Sequence, residues 1–205
     1  MAETFDNNLT SLEQELEAND PWQIDGNPFE QQRHAHMLRL CLSKGAVGHA
    51  LEIGCAAGAF TAKLAPHCAQ LMVIDILPRA ISRAKQRVAQ WSHIAWQVSD
   101  VRTFNSTGQF DLIVAAEVLY YLRDAVQIRD VIDKLTRMLS PDGRLVFGSA
   151  CDAACRRWAH PAGAETMLDI LHETLIETER VHCRGATADE DCLIASFCTP
   201  ASLRE

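Results

Sequence analysis

Glu52, Gly54, Gly58 and Asp75 are the residues whose types and spacing point most directly to chemistry. Glu52-x-Gly54-x-x-x-Gly58 follows an apolar run (Ala46, Val47, Ala50, Leu51, Ile53) and precedes a helical pattern. Gly54 has no Cβ, so the chain can turn sharply there and a ligand can approach the main chain. Gly58 starts the helix, and its missing side chain is expected to allow close packing on the strand. Asp75 ends a second apolar run (Leu71, Met72, Val73, Ile74), 23 positions beyond Glu52. An acid there, at a strand's carboxyl end, suits hydrogen bonding to ribose hydroxyls.

Two ligands compete for this pattern. A nicotinamide or flavin dinucleotide usually requires G-x-G-x-x-G, whose glycines and helix N-terminus hold a pyrophosphate. Here Ala56 stands at the middle position, and Glu52 would repel that anion. An acid suits a nucleoside with a cationic end, such as S-adenosylmethionine with its sulfonium and ammonium groups. The dinucleotide remains the second alternative on these residues alone.

The elements that must position them alternate. Strands are expected near 47–53, 69–75, 93–98, 109–115 and 143–149, with helices near 58–66, 78–90 and 125–139. Ser140-Pro141-Asp142-Gly143 has the composition of a turn. A short helix is expected from Ser11 to Ala18, a second from Pro28 toward Gly45, and a later one over 162–176. Val181-His182-Cys183 and Cys192 to Phe197 read as a closing antiparallel pair. The fold class expected is α/β: a Rossmann-like doubly wound sheet, mostly parallel, with a C-terminal antiparallel hairpin and helices on both faces. Residues 1–205 form one domain in this scheme, with 1–45 as a helical lid segment.

Composition narrows the function classes. A net charge of −8 argues against a nucleic-acid substrate. Arg79, Arg83, Lys85 and Arg87 cluster, but they alternate with apolar residues as a solvated helix face does. No apolar run approaches the ~20 residues that span a bilayer. The first six residues lack the basic and apolar regions of a signal peptide, so a cytoplasmic protein is expected. The eight cysteines include no C-x-x-C, and no zinc-type spacing is present, so no metal is expected.

The chain resembles the class I S-adenosylmethionine-dependent methyltransferases. The resemblance is carried by Leu51-Glu52-Ile53-Gly54-Cys55-Ala56-Ala57-Gly58, Val73-Ile74-Asp75, Val98-Ser99-Asp100-Val101, Phe110-Asp111-Leu112-Ile113-Val114 and Leu139-Ser140-Pro141-Asp142-Gly143, in the family's order over about residues 45 to 150. The main departure is Ala56, where the family usually has glycine.

The resemblance implies S-adenosyl-L-methionine as cofactor and a set of roles. Glu52 and Gly54 would meet its methionyl part, and Asp75 its ribose. Asp100 would accept from the adenine amino group, Val101 would offer a backbone N–H to the ring, and Ile76 would cover one adenine face. Glu117 stands where the family faces both cofactor and acceptor, with Tyr120 and Tyr121 close behind. At least one of that pair should point into the cleft, since adjacent residues cannot both face the core. Trp22 could lie over a cation, Arg33 could bind the cofactor carboxylate, and His34 is the candidate base. The alternatives are that Trp22 anchors a helix while Arg33 and His34 lie on the surface.

Wider similarity within that family, including Glu117-Val118-Leu119-Tyr120-Tyr121-Leu122, implies an oligosaccharide amine as acceptor: the free amine of a deacetylated chitooligosaccharide. Such a substrate predicts an open groove to which Trp22, Tyr120, Tyr121, Trp158 and His160 could contribute. Another small-molecule acceptor, or a cofactor-binding module without turnover, is the competing expectation.

Overall fold

The computed structural model describes residues 2–18 and 20–203; Met1, Asn19, Arg204 and Glu205 lie outside the described residues. Among the described residues, seven strands form one sheet: β1 (Val47–Ile53), β2 (Cys68–Asp75), β3 (Ile94–Val98), β4 (Phe110–Ala116), β5 (Leu139–Ala150), β6 (Ile176–Arg184) and β7 (Asp191–Cys198). Their order is β3-β2-β1-β4-β5-β7-β6. The first five are parallel, and β7 runs antiparallel to both β5 and β6. The doubly wound architecture with a closing antiparallel pair is therefore present.

Among the described residues, seven α-helices accompany the sheet: α1 (Ala2–Glu15), α2 (Pro28–Cys41), α3 (Ala59–Leu64), α4 (Pro78–Arg87), α5 (Ala125–Arg137), α6 (Asp152–Arg157) and α7 (Ala164–Leu171). Local chemistry explains several boundaries. Asn27 caps α2 by accepting from the Phe29 N–H at 2.8 Å, and Pro28 takes the first helical position, where its missing N–H costs nothing. Asp124 caps α5 by accepting from the Gln127 N–H at 2.9 Å.

Side-chain alternation along the strands divides the core in two. Leu51, Ile53, Ile113, Ala115 and Phe147 face α5 and α7. Ala50, Leu112, Val114 and Val146 face α2, α3 and α4. After β3 the chain crosses to the far side of β1 to enter β4, so the connections diverge above β1 and β4. That switch point opens a crevice at the strands' carboxyl ends.

Three expectations need correction. Ser140 to Gly143 does not separate α5 from β5; it lies inside the strand. The pairing jumps from Phe110↔Leu139 to Leu112↔Arg144, so the turn is extruded as a bulge while the ladder continues. A Cβ on Gly143 would stand 2.9 Å from the Ser140 carbonyl oxygen, which shows how tightly the bulge folds back. Second, Ile176 begins β6 rather than ending a helix; α7 stops at Leu171. Third, the arginine cluster on α4 is more than a solvated face. Arg83 Nη1 donates to the carbonyls of Leu16 (2.6 Å) and Ala18 (2.5 Å), Arg87 Nη1 donates to Asp25 Oδ2 (2.9 Å), and Arg79 pairs with Glu17 at 3.8 Å. Spaced four apart, these arginines hold the N-terminal segment against α4. Among the described residues, no helix is long and apolar enough to cross a membrane.

Candidate active site

A cleft of about 310 Å³ lies over the tips of β1, β2 and β4 and is closed from above by α1 and α2. Leu9 and Leu12 of α1, with Leu16 just after it, contribute an apolar wall.

The loop after β1 forms one side. Gly54, Ala56 and Gly58 all have positive φ, at 75°, 48° and 78°. The alternate-residue pattern is thus a backbone requirement, and Ala56 meets it against its steric preference. Gly58 packs differently from expectation: a Cβ there would stand 2.8 Å from Ala84 Cα, so the glycine makes room for α4 rather than for the strand. A Cβ on Gly54 would press on Val118 at 3.2 Å.

Asp75 sits at the tip of β2, almost wholly buried. Its Oδ2 accepts from the N–H groups of Cys55 (3.0 Å) and Ala56 (3.2 Å), and its Oδ1 from Leu77 N–H (2.9 Å). Burial raises its proton affinity and the three N–H groups pull it back. The carboxylate therefore fixes the glycine loop, a role the sequence reading missed, and only its remaining lone-pair capacity faces a ligand.

Glu52 is buried within this wall, with Oε2 lacking a hydrogen-bond partner among the described residues. Burial pushes its carboxyl up to about 8. The Thr61 hydroxyl offsets part of that rise from outside hydrogen-bond geometry, and the nearby Asp75 adds to it. An unpartnered carboxyl oxygen in a cleft is costly unless a cationic or donor group meets it.

Ile76, Leu77, Asp100 and Val101 line the next stretch. Asp100 is already engaged: its Oδ2 accepts from Arg102 Nε (2.7 Å) and Nη2 (2.5 Å), and its Oδ1 from the Arg102 N–H (2.8 Å). Arg102 thereby joins the cleft as a residue the sequence did not single out.

The other end gathers around Glu117, just past β4. Its backbone is left-handed, φ 52°, an uncommon and strained state for a glutamate. Its N–H donates to the Gly148 carbonyl (2.9 Å), its Oε2 accepts from the Ala150 N–H (3.3 Å), and its Oε1 from Arg33 Nη1 (3.4 Å). Burial raises its proton affinity and the Arg33 charge lowers it.

Arg33 and His34 are buried, not surface residues. Arg33 Nε and Nη2 both donate to Glu30 Oε2, at 3.0 and 2.5 Å. Burial opposes the guanidinium charge, and the carboxylates of Glu117 and Glu30 more than restore it. His34 packs edge-on against Phe60, with ring centroids 5.3 Å apart and its Nδ1 unpartnered among the described residues. Burial, with the charges of Arg33 and Lys63, lowers its pKa to about 3. Trp22 lines the cleft and donates its indole N–H to Glu15 Oε2 at 2.8 Å.

Tyr120 and Tyr121 both line the cleft, which meets the expectation that at least one would. They lie in a 3-10 turn, Leu119–Tyr121, where strand alternation does not apply. Their rings are 4.6 Å apart, and both contact His160, at 4.8 and 4.9 Å. Elsewhere, Cys151, His182 and Asp191 bring possible ligand atoms within 4.8 Å of one another, a grouping invisible in the spacing. Arg184 Nε stands 3.3 Å from His182 Nε2, so a guanidinium already supplies positive charge there.

The family model described as Nodulation protein S (NodS) matches residues 4–204. Nodulation protein S of Sinorhizobium fredii is 59% identical over 191 residues, 93% of this chain and 88% of that protein. Its namesake from Rhizobium tropici is 55% identical, over 95% of this chain and 82% of that protein. The crystal structure of N-methyltransferase NodS from Bradyrhizobium japonicum WM9 in complex with S-adenosyl-l-homocysteine superposes with a TM-score of 0.92 at 61% identity, covering 93% of this chain and 97% of that one.

Proposed function

The chain belongs to the nodulation protein S family, and from that premise we propose how its cleft works as an S-adenosylmethionine-dependent N-methyltransferase. The acceptor is the free amine of a deacetylated chitooligosaccharide, and the reaction is a step of Nod-factor synthesis. The supporting observation is a pair of carboxyl groups, the buried Glu52 and the half-buried Glu117, lining one cleft from the tips of the adjacent strands β1 and β4.

The cofactor supplies a methyl group on a sulfonium. The chain's residues fit it. The unpartnered Oε2 of Glu52 would receive the methionyl ammonium, directly or through water, with Gly54 keeping the main chain close. Asp75 would add ribose contacts to its loop bonds. Ile76, Asp100 and Val101 would frame the adenine, and Trp22 would cover the positive charge. Arg33 would meet the cofactor carboxylate only by sharing a guanidinium already paired with Glu30 and Glu117, so we assign it first to positioning Glu117.

At the acceptor end, Glu117 would take an N–H hydrogen bond from the neutral amine and stabilise the cation formed on that nitrogen. Its strained backbone, held by the Gly148 carbonyl, and two partners on the carboxylate, the Ala150 N–H and Arg33, aim it before substrate arrives, and alignment of this kind is worth up to ~7–11 kcal/mol in favourable cases. Tyr120 supports it from the following turn. His34, held to about 3, is too weak a base to take the amine proton near neutral pH, and solvent serves that role. Residues 1–45 act as the lid. The eight buried free thiols fit a reducing, cytoplasmic setting.

Titration calorimetry with S-adenosylhomocysteine should show saturable binding. Product analysis should show methylation of chitooligosaccharide amines and none of their fully acetylated forms. Equal methylation of both would remove the amine assignment, and a folded protein that ignores S-adenosylhomocysteine would remove the enzyme itself.

A further inference from the structure

Trp158 is 40% exposed in a cleft whose other aromatic rings are largely covered. It follows α6 directly, and the chain is then turned by Ala159, a non-glycine residue with φ 63°. His160 returns to α6 by donating its N–H to the Cys155 carbonyl at 2.9 Å. This strained turn presents Trp158 and His160 on the same side as the tyrosine pair: the rings of Tyr120 and Trp158 are 6.2 Å apart and those of Tyr120 and His160 4.8 Å. Burial lowers the proton affinity of His160, which favours its neutral form beside the tyrosine rings. Outward from Glu117 the order is Tyr120, then Trp158.

A left-handed alanine is sterically strained and persists only where the surroundings enforce it. Here the turn leaves Trp158 40% exposed in the same cleft that Glu117 lines. Pyranose rings present apolar C–H faces, which are attracted to the electron-rich face of an indole. From this placement we infer that Trp158, held by the Ala159 turn, is the stacking platform for the sugar adjoining the reacting one, and that it sets the preference for an oligosaccharide over a single amino sugar. The inference rests on the acceptor class proposed above. Trp158 is a specificity residue in this scheme; methyl transfer itself occurs at the Glu117 end.

The test compares glucosamine with a tetrasaccharide of the same series carrying one free terminal amine, using full-length protein saturated with S-adenosylhomocysteine. Calorimetry should show the wild type binding the tetrasaccharide at least tenfold more tightly than glucosamine. Trp158→Ala should remove most of that ratio, Trp158→Phe should restore part of it, and S-adenosylhomocysteine affinity should not change in either. Turnover should follow, with KM for the tetrasaccharide rising in Trp158→Ala while KM for glucosamine stays put. Unchanged tetrasaccharide affinity in Trp158→Ala would overturn the platform. So would equal losses for both sugars and the cofactor product, the mark of a purely structural tryptophan. Tight, Trp158-dependent binding without methylation of either amine would overturn the transferase assignment instead and leave the platform standing.

Discussion

At the β1 end of the cleft the walls are mainly backbone; at the β4 end they are mainly side chains. The first end is a loop of three left-handed residues tied to Asp75 by two of its own N–H groups. The second is Glu117, clamped by Arg33 from α2 and by the Ala150 N–H from the end of β5, with aromatic rings from two separate turns. A backbone cradle recognises what the cofactor always presents, and it tolerates variation in the side chains around it. A clamp of distant side chains can be retuned residue by residue, which suits the part of the reaction where acceptors differ. The two ends should therefore respond independently to substitution.

The largest effect should come from breaking the clamp. Glu117→Gln keeps the shape and loses the charge opposite Arg33 and the developing ammonium. By analogy with removal of a single preorganised electrostatic partner, kcat should fall ~10²–10³-fold. S-adenosylhomocysteine affinity should stay within about threefold, because Glu52, Asp75 and the glycine loop are untouched. Steady-state methyl transfer and calorimetry on one preparation would check both. A matching loss of cofactor affinity would show the two ends to be one coupled unit.

The cradle was far more legible in the sequence than the clamp, for a physical reason. Gly54, Gly58 and Asp75 are constrained by local backbone geometry, so residue type and spacing record it directly. Arg33 is constrained by a carboxylate 84 positions away. Even so, a signal was present: Arg33 lies four residues after Phe29 and four before Met37, on the buried stripe of α2, where a surface arginine would not belong. The α4 arginines showed their shared face through four-residue spacing, but nothing local named Glu17 or Asp25 as partners. Likewise the turn composition at Ser140 to Gly143 was correct locally, while its place within β5 depends on the partner strand β4.

A second test sharpens the electrostatic side of the cradle. The folded Glu52 carboxyl, raised to about 8 from 4.5, keeps its proton where the unfolded chain has lost it. The folded state thus binds more protons between those values, and this group's contribution to stability falls as pH rises through that window. A cationic ligand reverses the preference, because it favours the carboxylate. Binding near pH 7 should then release a proton, and affinity for S-adenosylhomocysteine should rise by up to ~tenfold per pH unit until about pH 8, then level. Calorimetry in buffers of different ionisation enthalpy would count the proton. Glu52→Gln should flatten this part of the profile, whereas a slope that survives the substitution would place the titrating group elsewhere.

The smallest effect concerns Ala56, where the cradle departs from the glycine usual at its middle position. An alanine at φ 48° is held against a steric cost of about 1–2 kcal/mol. Glycine would remove that cost but loses roughly 0.5–1 kcal/mol through its freer unfolded chain. Ala56→Gly should therefore stabilise the protein by no more than about 1.5 kcal/mol, seen as a rise of a few degrees in Tm. The Ala56 N–H bond to Asp75 should persist, since the loop keeps its shape. Activity on the acceptor should be unaltered if the two ends are independent. A lower Tm would mean that the Ala56 methyl group contributes more by packing in the cleft wall than it costs in backbone strain, and the cradle would then depend on a side chain after all.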